Sequence, residues 1–414
     1  MASQRLNQIS NHISSVQCPT KIGVKSPNDV VIITAVRTPI TRAKKGGLKD
    51  THIEDMLSAV FKAVLERSKI CPNAIQDIAV GNVLTGTSAT MARMASLHAG
   101  IPEKVPIYAL NRQCSSGLQA VASIASSIQA GLIDVGIGAG VESMTMHYGA
   151  QAQPTSISDE VQTCSAAADS MIPMGITSEN VSKEFSVPRE KQDKMAADSH
   201  RKAAEAQEKG YFNEEIAPVH TIVLDKEGNE KKVTVTQDDG IRKGTTPESL
   251  KKLKAAFGEN GFTTAGNASQ VSDGAAAVLL MRRSKAEELK LPIIGKYITS
   301  AVVGVPPRIM GVGPAYAIPA AVQKAGIQLK DIDIFEINEA FASQAVYSVE
   351  TLGIDMAKVN PKGGAIALGH PLGCTGARQI ATLLPELKRQ GKKVGCISMC
   401  IGTGMGMAGI FERE

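Results

Sequence analysis

Aromatic side chains are scarce in this sequence: tryptophan is missing, and phenylalanine and tyrosine make up only 3% of the 414 residues. A chain with so few aromatic rings has little with which to stack on nucleic-acid bases. Neither sign of charge dominates, because 45 basic residues face 40 acidic ones. A strongly basic binding surface is therefore not indicated, and nucleic acid is not an expected partner.

Long hydrophobic runs are also lacking. No apolar stretch reaches the length of a membrane span, and no secretory signal core is recognisable. We therefore expect no integral membrane segment. The overall composition, 43% hydrophobic with 38 glycines, is that of a globular protein with many tight turns.

The cysteines are too few and too scattered for a disulfide framework. Their odd number favours a reducing compartment. They are Cys18, Cys71, Cys114, Cys164, Cys374, Cys396 and Cys400. Three residues separate Cys396 from Cys400, but no second Cys or His pair lies near them in sequence, so we predict no metal site.

Strands alternate with helices in the first third of the chain. Buried strands are predicted at residues 29–40, 75–85, 106–110 and 133–141, with helices at 53–68 and from Leu118 to Gly131. This order predicts βαβ units and a parallel sheet.

Composition changes after about residue 150. Residues 183–260 are rich in charged and amide side chains, which indicates an inserted, solvated subdomain or else a set of surface loops. Small and apolar residues return at 266–283, where the core sheet resumes. From residue 291 the α/β pattern restarts, and it ends in two strands around a Gly-Thr-Gly turn within 393–412. The similar order of the two parts predicts a structural duplication.

The stretch "LNRQCSSGLQA" places Cys114 between a predicted strand and a predicted helix. Peptide N–H groups and the helix dipole at such a position favour a thiolate, as in the nucleophile turns of acyl-transfer enzymes. A small cysteine packed behind a sheet is equally compatible with this stretch. The stretch alone leaves both interpretations open.

Three further residues lie at glycine-rich turns or strand ends. His370, in "GGAIALGHPLGCTGAR", could serve as the base that a thiol nucleophile needs, although an incidental histidine in a turn is the alternative. Cys400 precedes "IGTGMG", whose N–H groups could face an oxyanion, and a second cysteine could move protons. Asn338, in "EINEAF", follows a predicted strand.

Taken together, "NRQCSSGLQA", "GVESM", "AGNASQVSDGAAA", "INEAFA", "NPKGGAIALGHPLGCTGAR" and "CIGTGMG" resemble the signature blocks of the thiolase family, in the family's order. The resemblance implies a five-layered α-β-α-β-α fold of two similar halves with an inserted loop domain. The implied divisions are a terminal segment at 1–28, a first half at 29–150 plus 263–290, a CoA-binding loop domain at 151–262, and a second half at 291–414.

The same resemblance implies a role for each site residue. Cys114 would carry the acyl group, His370 would activate it, and Cys400 would move the proton of the substrate α-carbon. Asn338 and His370 would hold one oxyanion, and the N–H groups of Cys114 and Gly402 the other. Arg242, Ser249 and Ser269 match positions that contact coenzyme A, which acts as co-substrate; no metal or tightly bound cofactor is implied.

The segment "IPMGITSEN" bears on the subtype. Biosynthetic members carry His-Met-Gly where this chain has Pro173, Met174 and Gly175, so the sequence resembles the degradative 3-ketoacyl-CoA thiolases. Residues 5–13, "RLNQISNHI", are similar to an N-terminal peroxisomal targeting signal, with isoleucine in place of the usual final leucine. We therefore predict a peroxisomal enzyme whose residues 5–13 bind an import receptor. The alternative for this segment is a frayed terminus, and the alternative location is the cytoplasm.

Other functions remain open at this stage. A biosynthetic acetoacetyl-CoA thiolase is the main alternative, and a non-catalytic acyl-CoA or lipid-binding protein on the same scaffold is another. A ketoacyl synthase shares the general fold but uses a Cys-His-His or Cys-His-Asn set, and the second cysteine, Cys400, argues against it. The family resemblance also implies a homodimer.

Overall fold

The structure is a computed structural model that describes residues 20–149, 154 and 156–414. The targeting pattern at residues 5–13 and Cys18 lie outside the described residues. The strands are β1 Val30–Arg37, β2 Thr41–Arg42, β3 Asp77–Gly81, β4 Ile107–Leu110, β5 Val135–Ser143, β6 Val219–Leu224, β7 Glu230–Val235, β8 Ser272–Arg282, β9 Gly295–Gly304, β10 Ile334–Ile337, β11 Val394–Ile401 and β12 Met405–Arg413.

The helices occupy the positions that apolar periodicity indicates, together with several short ones. They are α1 Ile53–Ser68, α2 Ser88–His98, α3 Ser116–Gln129, α4 Met144–His147, α5 Asp159–Gln162, α6 Ser165–Ala168, α7 Met174–Glu184, α8 Arg189–Glu208, α9 Pro247–Lys251, α10 Arg283–Glu288, α11 Gly313–Ala325, α12 Ala342–Leu352, α13 Ala365–Leu368 and α14 Thr375–Arg389. The helix predicted at 53–68 is confirmed, and α14 continues through Pro385 as expected.

The main sheet is mixed: the predicted parallel pairing is confirmed for β3 with β4 and β5 in the first third of the chain, but it is wrong for the sheet as a whole. Its strands lie in the order β10-β11-β12-β9-β1-β8-β5-β3-β4, with β2 paired to β8. Only the β3–β4, β3–β5 and β10–β11 pairs are parallel, whereas β8 is antiparallel to both β1 and β5. The sequence pattern misled here because fully buried strands read as continuous apolar runs whatever their direction.

The strand order repeats within the sheet. In the first set the order across the sheet is β1-β8-β5-β3, and in the second it is β9-β12-β11-β10. In both sets the strand that comes last in the chain, β8 or β12, lies beside the strand that comes first, β1 or β9. The strand directions repeat as well, with two antiparallel pairs followed by a parallel one. The two sets meet where β1 pairs with β9 through only Val31–Lys296 and Ile32–Gly295. This repeated topology fits the predicted duplication.

Three apolar clusters place helices on either side of the strands and between them. The first set of strands packs on α1 and α2 through residues such as Phe61, Ala95 and Leu279. Helices α3 and α14 lie in the middle and share a cluster with both strand sets, including Val121, Ile380 and Met399. On the far side, α11 and α12 pack on the second set through residues such as Ile318, Val349 and Ile410. The outcome is a five-layered α-β-α-β-α arrangement.

The segment between β5 and β8 carries helices α4 to α9 and the β6–β7 hairpin. A buried ionic cluster attaches it to the rest of the molecule. The Arg37 guanidinium on β1 contacts Glu215 at 2.6 Å and Asp238 at 2.7 Å, and Glu215 also contacts Lys362 at 2.5 Å. Because these charges are paired with one another inside the protein, they fix where the segment sits.

Candidate active site

Cys114 lies in a tight turn between β4 and α3. The preceding residue, Gln113, has a φ of 46°, a left-handed conformation that non-glycine residues seldom adopt. Side-chain hydrogen bonds hold the turn: the Arg112 N–H donates to Ser116 Oγ at 2.9 Å, and Ser115 Oγ donates to the Arg112 carbonyl at 2.9 Å. A strained turn fixed in this way presents Cys114 just ahead of the helix.

Burial raises the pKa of the Cys114 thiol to about 11, although part of the residue is accessible. Hydrogen bonds from the peptide N–H groups of Gly402 and Cys114 itself act in the opposite direction, and the nearby carboxyl of Glu142 adds to the rise. The predicted effect of the backbone N–H groups is therefore present, but desolvation outweighs it, so Cys114 needs a group that accepts its proton.

His370 is buried at the end of a short glycine-bounded turn. It follows α13 and Gly369, whose φ is 111° and at which a Cβ would lie only 2.1 Å from Ser272 Oγ. The imidazole Nδ1 lies 2.7 Å from Thr375 Oγ1. Burial, together with the positive charge of Arg378, lowers the pKa of His370 to about 3. The ring is therefore neutral near pH 7.

Asn338 lies beside this imidazole. It follows β10, and its N–H donates to the Ser398 carbonyl on β11 at 2.8 Å. Its amide nitrogen lies 3.4 Å from both ring nitrogens of His370. The side-chain oxygen of Asn338, Oδ1, is buried and has no hydrogen-bond partner among the described residues. A buried polar atom of this kind is suited to bind a ligand or a water molecule.

Cys400 lies near the end of β11 and is fully buried. Its thiol donates to Gln344 Oε1 at a distance of 3.0 Å. Burial raises the pKa of Cys400 well above the ordinary cysteine value, and electrostatic interaction with Cys114 raises it further. The two predicted reactive cysteines therefore share one electrostatic environment, although 286 positions separate them in the numbering (400 − 114).

The turn after β11 completes this group. Thr403 and Gly404 have φ values of 71° and 93°, so the chain reverses sharply and leaves the Gly402 N–H directed at Cys114. A Cβ at Gly402 would lie 3.7 Å from the Met174 sulfur and 3.9 Å from Gln113 Cγ. Met174 also packs against the apolar cluster that includes Cys400, so the structure brings Met174 to the same place.

The three residues that match coenzyme A contacts lie in different settings. Arg242 and Ser249 are exposed, and the Ser249 hydroxyl caps its own turn by donating to the Thr246 carbonyl at 2.7 Å. Ser269 is half-buried, and its N–H donates to the Ala340 carbonyl at 2.9 Å, which places it beside the turn that carries Asn338. Ser269 thus adjoins the buried group, whereas Arg242 and Ser249 lie at the surface.

Three residues at the site went unrecognised in the sequence: Gln344, Thr375 and Glu142. Gln344 and Thr375 contact Cys400 and His370 directly. Glu142 accepts hydrogen bonds from the N–H groups of Val83, Leu84 and Gly373 at 3.0–3.2 Å and thereby joins two loops near Cys114 and His370. Thr375, five positions after His370 in a glycine-rich run, was the one with a usable sequence signal.

Glycines allow the two central helices to approach through their backbones. A Cβ on Gly117 would lie 2.7 Å from the Gly373 carbonyl oxygen, and one on Gly376 would lie 2.3 Å from the Leu118 nitrogen. Contacts this short exclude any side chain. The close crossing sets the distance between the turn of Cys114 and the turn of His370.

A groove of about 880 Å³ lies elsewhere, between α8, residues 243–247 and α12. Cys114, His370 and Cys400 do not line it. Within residues 20–149, 154 and 156–414, no group of three His, Cys, Asp or Glu side chains is arranged to hold a metal ion. In the same residues, no helix is long and apolar enough to span a bilayer.

Two family models match the chain in succession. The thiolase N-terminal domain matches residues 30–284, and the thiolase C-terminal domain matches residues 291–413. Together they take in β1 to β12 and every residue of the site described above.

Individual relatives match over nearly the whole length. The chain is 59% identical to rat peroxisomal 3-ketoacyl-CoA thiolase B over 98% of this chain and 96% of the relative. It is 56% identical to human peroxisomal 3-ketoacyl-CoA thiolase over 99% of both. Among solved structures, the dimeric peroxisomal thiolase of Saccharomyces cerevisiae superimposes with a TM-score of 0.88 at 51% identity, covering 95% of this chain and 99% of that one. The chain therefore belongs to the thiolase family.

Proposed function

We propose that this protein cleaves 3-ketoacyl-CoA with coenzyme A, giving acetyl-CoA and a chain-shortened acyl-CoA, in peroxisomal fatty acid β-oxidation. One observation carries the proposal. Cys114, with the Gly402 N–H directed at its thiol, shares its electrostatic environment with Cys400, while Asn338 and neutral His370 lie side by side. The names of the rat and human relatives specify the substrate class and the compartment.

The first half of the reaction breaks a carbon–carbon bond. Neutral His370 takes the thiol proton of Cys114, and the sulfur attacks the 3-keto carbon. The C2–C3 bond then breaks, its electron pair moves into the enolate of acetyl-CoA, and Cys400 protonates C2. His370, now protonated, and a water held by the Asn338 side-chain oxygen donate hydrogen bonds to the enolate oxygen, and this water partners the otherwise unpartnered Oδ1.

The second half transfers the acyl group from Cys114 to coenzyme A. The Cys400 thiolate left by the first half takes the thiol proton of coenzyme A, and the coenzyme A thiolate attacks the thioester carbonyl. The N–H groups of Cys114 and Gly402, which hydrogen-bond the thiol in the free protein, stabilise the developing oxyanion. Cys114 leaves as a thiolate and takes back the proton that His370 holds. Exchange between thioesters is nearly isoenergetic, so no metal or tightly bound cofactor has to supply energy.

Coenzyme A contacts Arg242, Ser249 and Ser269, and Met174 borders the acyl group near Gly402. Ser269 is adjacent to the turn of Asn338, whereas Arg242 is exposed and contacts the charged end of coenzyme A. The substitution Arg242→Ala is expected to raise KM for coenzyme A several-fold with little change in kcat. Lys243→Ala, which removes the neighbouring exposed cation that pairs with Glu208, is the matched control.

The experiment that tests the activity is a chain-length series of thiolysis rates. We expect kcat/KM for 3-ketohexadecanoyl-CoA to exceed that for acetoacetyl-CoA, and Cys114→Ala to abolish both while leaving the circular-dichroism spectrum unchanged. Cys71→Ala, at an exposed cysteine away from this site, is the control and should retain full activity. Activity confined to acetoacetyl-CoA would favour the biosynthetic alternative. Substantial activity in Cys114→Ala would overturn the mechanism, and a wild type that binds acyl-CoA without turnover would indicate the non-catalytic alternative.

The active form is a homodimer assembled through β4. Within the described residues this strand pairs only with β3, which leaves its other edge open at the end of the main sheet. Tyr108 on β4 and the apolar Met94 and Leu97 on α2 are exposed there. An exposed strand edge with apolar neighbours is suited to pair with a second copy. Light scattering should give a dimer mass for the wild type and a monomer mass for Met94→Glu/Leu97→Glu.

Import into the peroxisome depends on residues 5–13. Fusing residues 1–28 to a fluorescent protein should direct it to peroxisomes, and Arg5→Glu should leave it in the cytoplasm. The functional divisions are 1–28 for targeting, 29–150 plus 263–290 and 291–414 for the two catalytic halves, and 151–262 for the CoA-binding loop domain.

A further inference from the structure

Gln344 is a buried amide that contacts the thiol of Cys400. It lies on α12, 1% exposed, and its Oε1 accepts a hydrogen bond from Cys400 Sγ at 3.0 Å. Its other polar atom, Nε2, is buried and has no hydrogen-bond partner among the described residues. An unsatisfied buried N–H₂ group is costly, so its retention beside a reactive thiol requires an explanation.

The position of Gln344 is tightly constrained. A Cβ on Gly311 would lie 2.8 Å from Gln344 Cβ, so the absence of a side chain at Gly311 makes room for the glutamine. One turn further along α12, Ser348 Oγ donates to the Gln344 carbonyl at 2.7 Å and holds the backbone. The backbone and Cβ of Gln344 are therefore held in place, and the amide can reverse by rotation about its last torsion without moving them.

We propose that Gln344 is the positioning residue that serves Cys400 in both of its protonation states. With Cys400 as a thiol, Oε1 accepts the S–H hydrogen. With Cys400 as a thiolate, the amide turns over and Nε2 donates to the sulfur. This inference rests on the proposed function, in which Cys400 gives a proton to C2 of the acetyl-CoA enolate and takes one from C2 in the reverse direction.

The surroundings make this amide the natural partner of the thiolate. Cys400 packs with Met310, Ala340, Met174 and Phe341, which offer no hydrogen bond, and the titratable group acting on it is Cys114. When C2 loses its proton to the Cys400 sulfur, the C–H electron pair remains on the enolate and the sulfur becomes neutral. An amide can follow that change without moving its backbone, whereas a carboxylate or a thioether can satisfy only one state.

The test separates the step of Cys400 from the step of Cys114. The probe for Cys400 is exchange of the acetyl-CoA methyl protons with deuterated water, followed by NMR across pH. The probe for Cys114 is its rate of alkylation by iodoacetamide. We expect Gln344→Met to slow exchange about 10- to 100-fold, the effect of one lost hydrogen bond to a charged group, and to leave alkylation of Cys114 within about twofold.

Two further variants keep the test decisive. Gln344→Glu retains an acceptor for the thiol but repels the thiolate, so its exchange profile should move to higher pH. Gly311→Ala displaces an unaltered Gln344 and should reproduce the selective loss of exchange. Glu350→Ala, the control on the same helix, removes an exposed ion pair with Lys191 and should leave both probes unchanged.

Wild-type exchange rates and an unshifted pH profile in Gln344→Met and Gln344→Glu would overturn the proposal. Equal losses in exchange and Cys114 alkylation would also overturn it, because they would reveal a merely structural role. Failure of the proposed function looks different, since the wild type would then show no thiolysis or Cys114→Ala would retain it.

Discussion

Gly117 and Gly373 are in backbone contact: a Cβ on the first would lie 2.7 Å from the carbonyl oxygen of the second. Each glycine lies three residues after a proposed catalytic residue, Cys114 and His370 respectively. The crossing of α3 over the turn before α14 therefore sets the separation of the nucleophile from its base. Any side chain at this crossing must push the two turns apart.

Gly117→Ala should consequently lower both stability and activity. Overpacking of this kind costs about 1–3 kcal/mol, and a small displacement of catalytic groups costs about 10- to 100-fold in kcat. Chemical denaturation and thiolysis rates measure the two effects. Gly86→Ala is the matched control, because a Cβ there meets no atom within 4 Å; an equal loss in both variants would contradict this account.

Replacing His370 with alanine should slow the alkylation of Cys114. Burial holds the pKa of Cys114 at about 11, so at pH 7 its thiol reacts only if a neighbour accepts the proton. In the wild type we expect Cys114 to label faster with iodoacetamide than the more exposed Cys71 and Cys164, and His370→Ala to abolish that advantage. Peptide mass spectrometry of timed samples gives each rate. An inert Cys114 beside rapidly labelled Cys71 or Cys164 would defeat the assignment of the nucleophile.

Glu142 should make stability fall as pH rises. Burial raises the pKa of its carboxyl from 4.5 to about 7, even though N–H groups of Val83, Leu84 and Gly373 donate to it. The protonated form is thus favoured in the folded protein. Its stabilising contribution is complete below about pH 4.5 and is lost as pH rises through about 7.

Comparison with Glu142→Gln isolates this effect, because glutamine does not titrate. The advantage of the wild type in unfolding free energy over this variant should shrink between pH 5 and pH 8, by at most about 1.4 kcal/mol per pH unit. Urea denaturation at several pH values measures the difference. A difference independent of pH would mean that Glu142 keeps one protonation state throughout this range.

Arg37→Met should destabilise the protein strongly. The variant leaves Asp238 buried without its cation, while Glu215 keeps its contact with Lys362. Removing one partner of a buried ion pair lowers the free energy of unfolding by about 3–5 kcal/mol. The control is Lys388→Ala, which breaks the exposed pair with Glu214 and should change stability by less than about 1 kcal/mol. Thermal and urea unfolding provide both values, and a small effect of Arg37→Met would show that this cluster does not anchor the segment between β5 and β8.

The sequence predicted the elements better than their arrangement. Helix α1 occupies the predicted residues 53–68, and the turn between β11 and β12 falls on the predicted Gly-Thr-Gly. Strand direction was mispredicted where β8 takes part, because β8 is buried on both faces and its apolar run carries no sign of whether a neighbour is parallel. Its antiparallel pairing with β1 and β5, which are distant in sequence, becomes visible only in the structure.

The residues of the site were likewise predicted only in part. Cys114, His370, Cys400 and Asn338 stood out because glycines or strand ends flank them. Gln344 did not, because a glutamine inside an amphipathic helix is usually a solvated residue; its role becomes visible only once Cys400 is placed against it. The pKa of Cys114 was equally inaccessible, since desolvation depends on residues from every part of the fold.

The repeated strand order also relates the two halves of the site. Cys114 lies two residues before α3, and His370 lies five residues before α14, and these are the two helices of the central layer. The two helices correspond in the repeat, because α3 leads into β5 and α14 leads into the equivalent strand β11. Each half therefore contributes one reagent, the proposed nucleophile from the first and its proposed base from the second, so neither half can form the site alone.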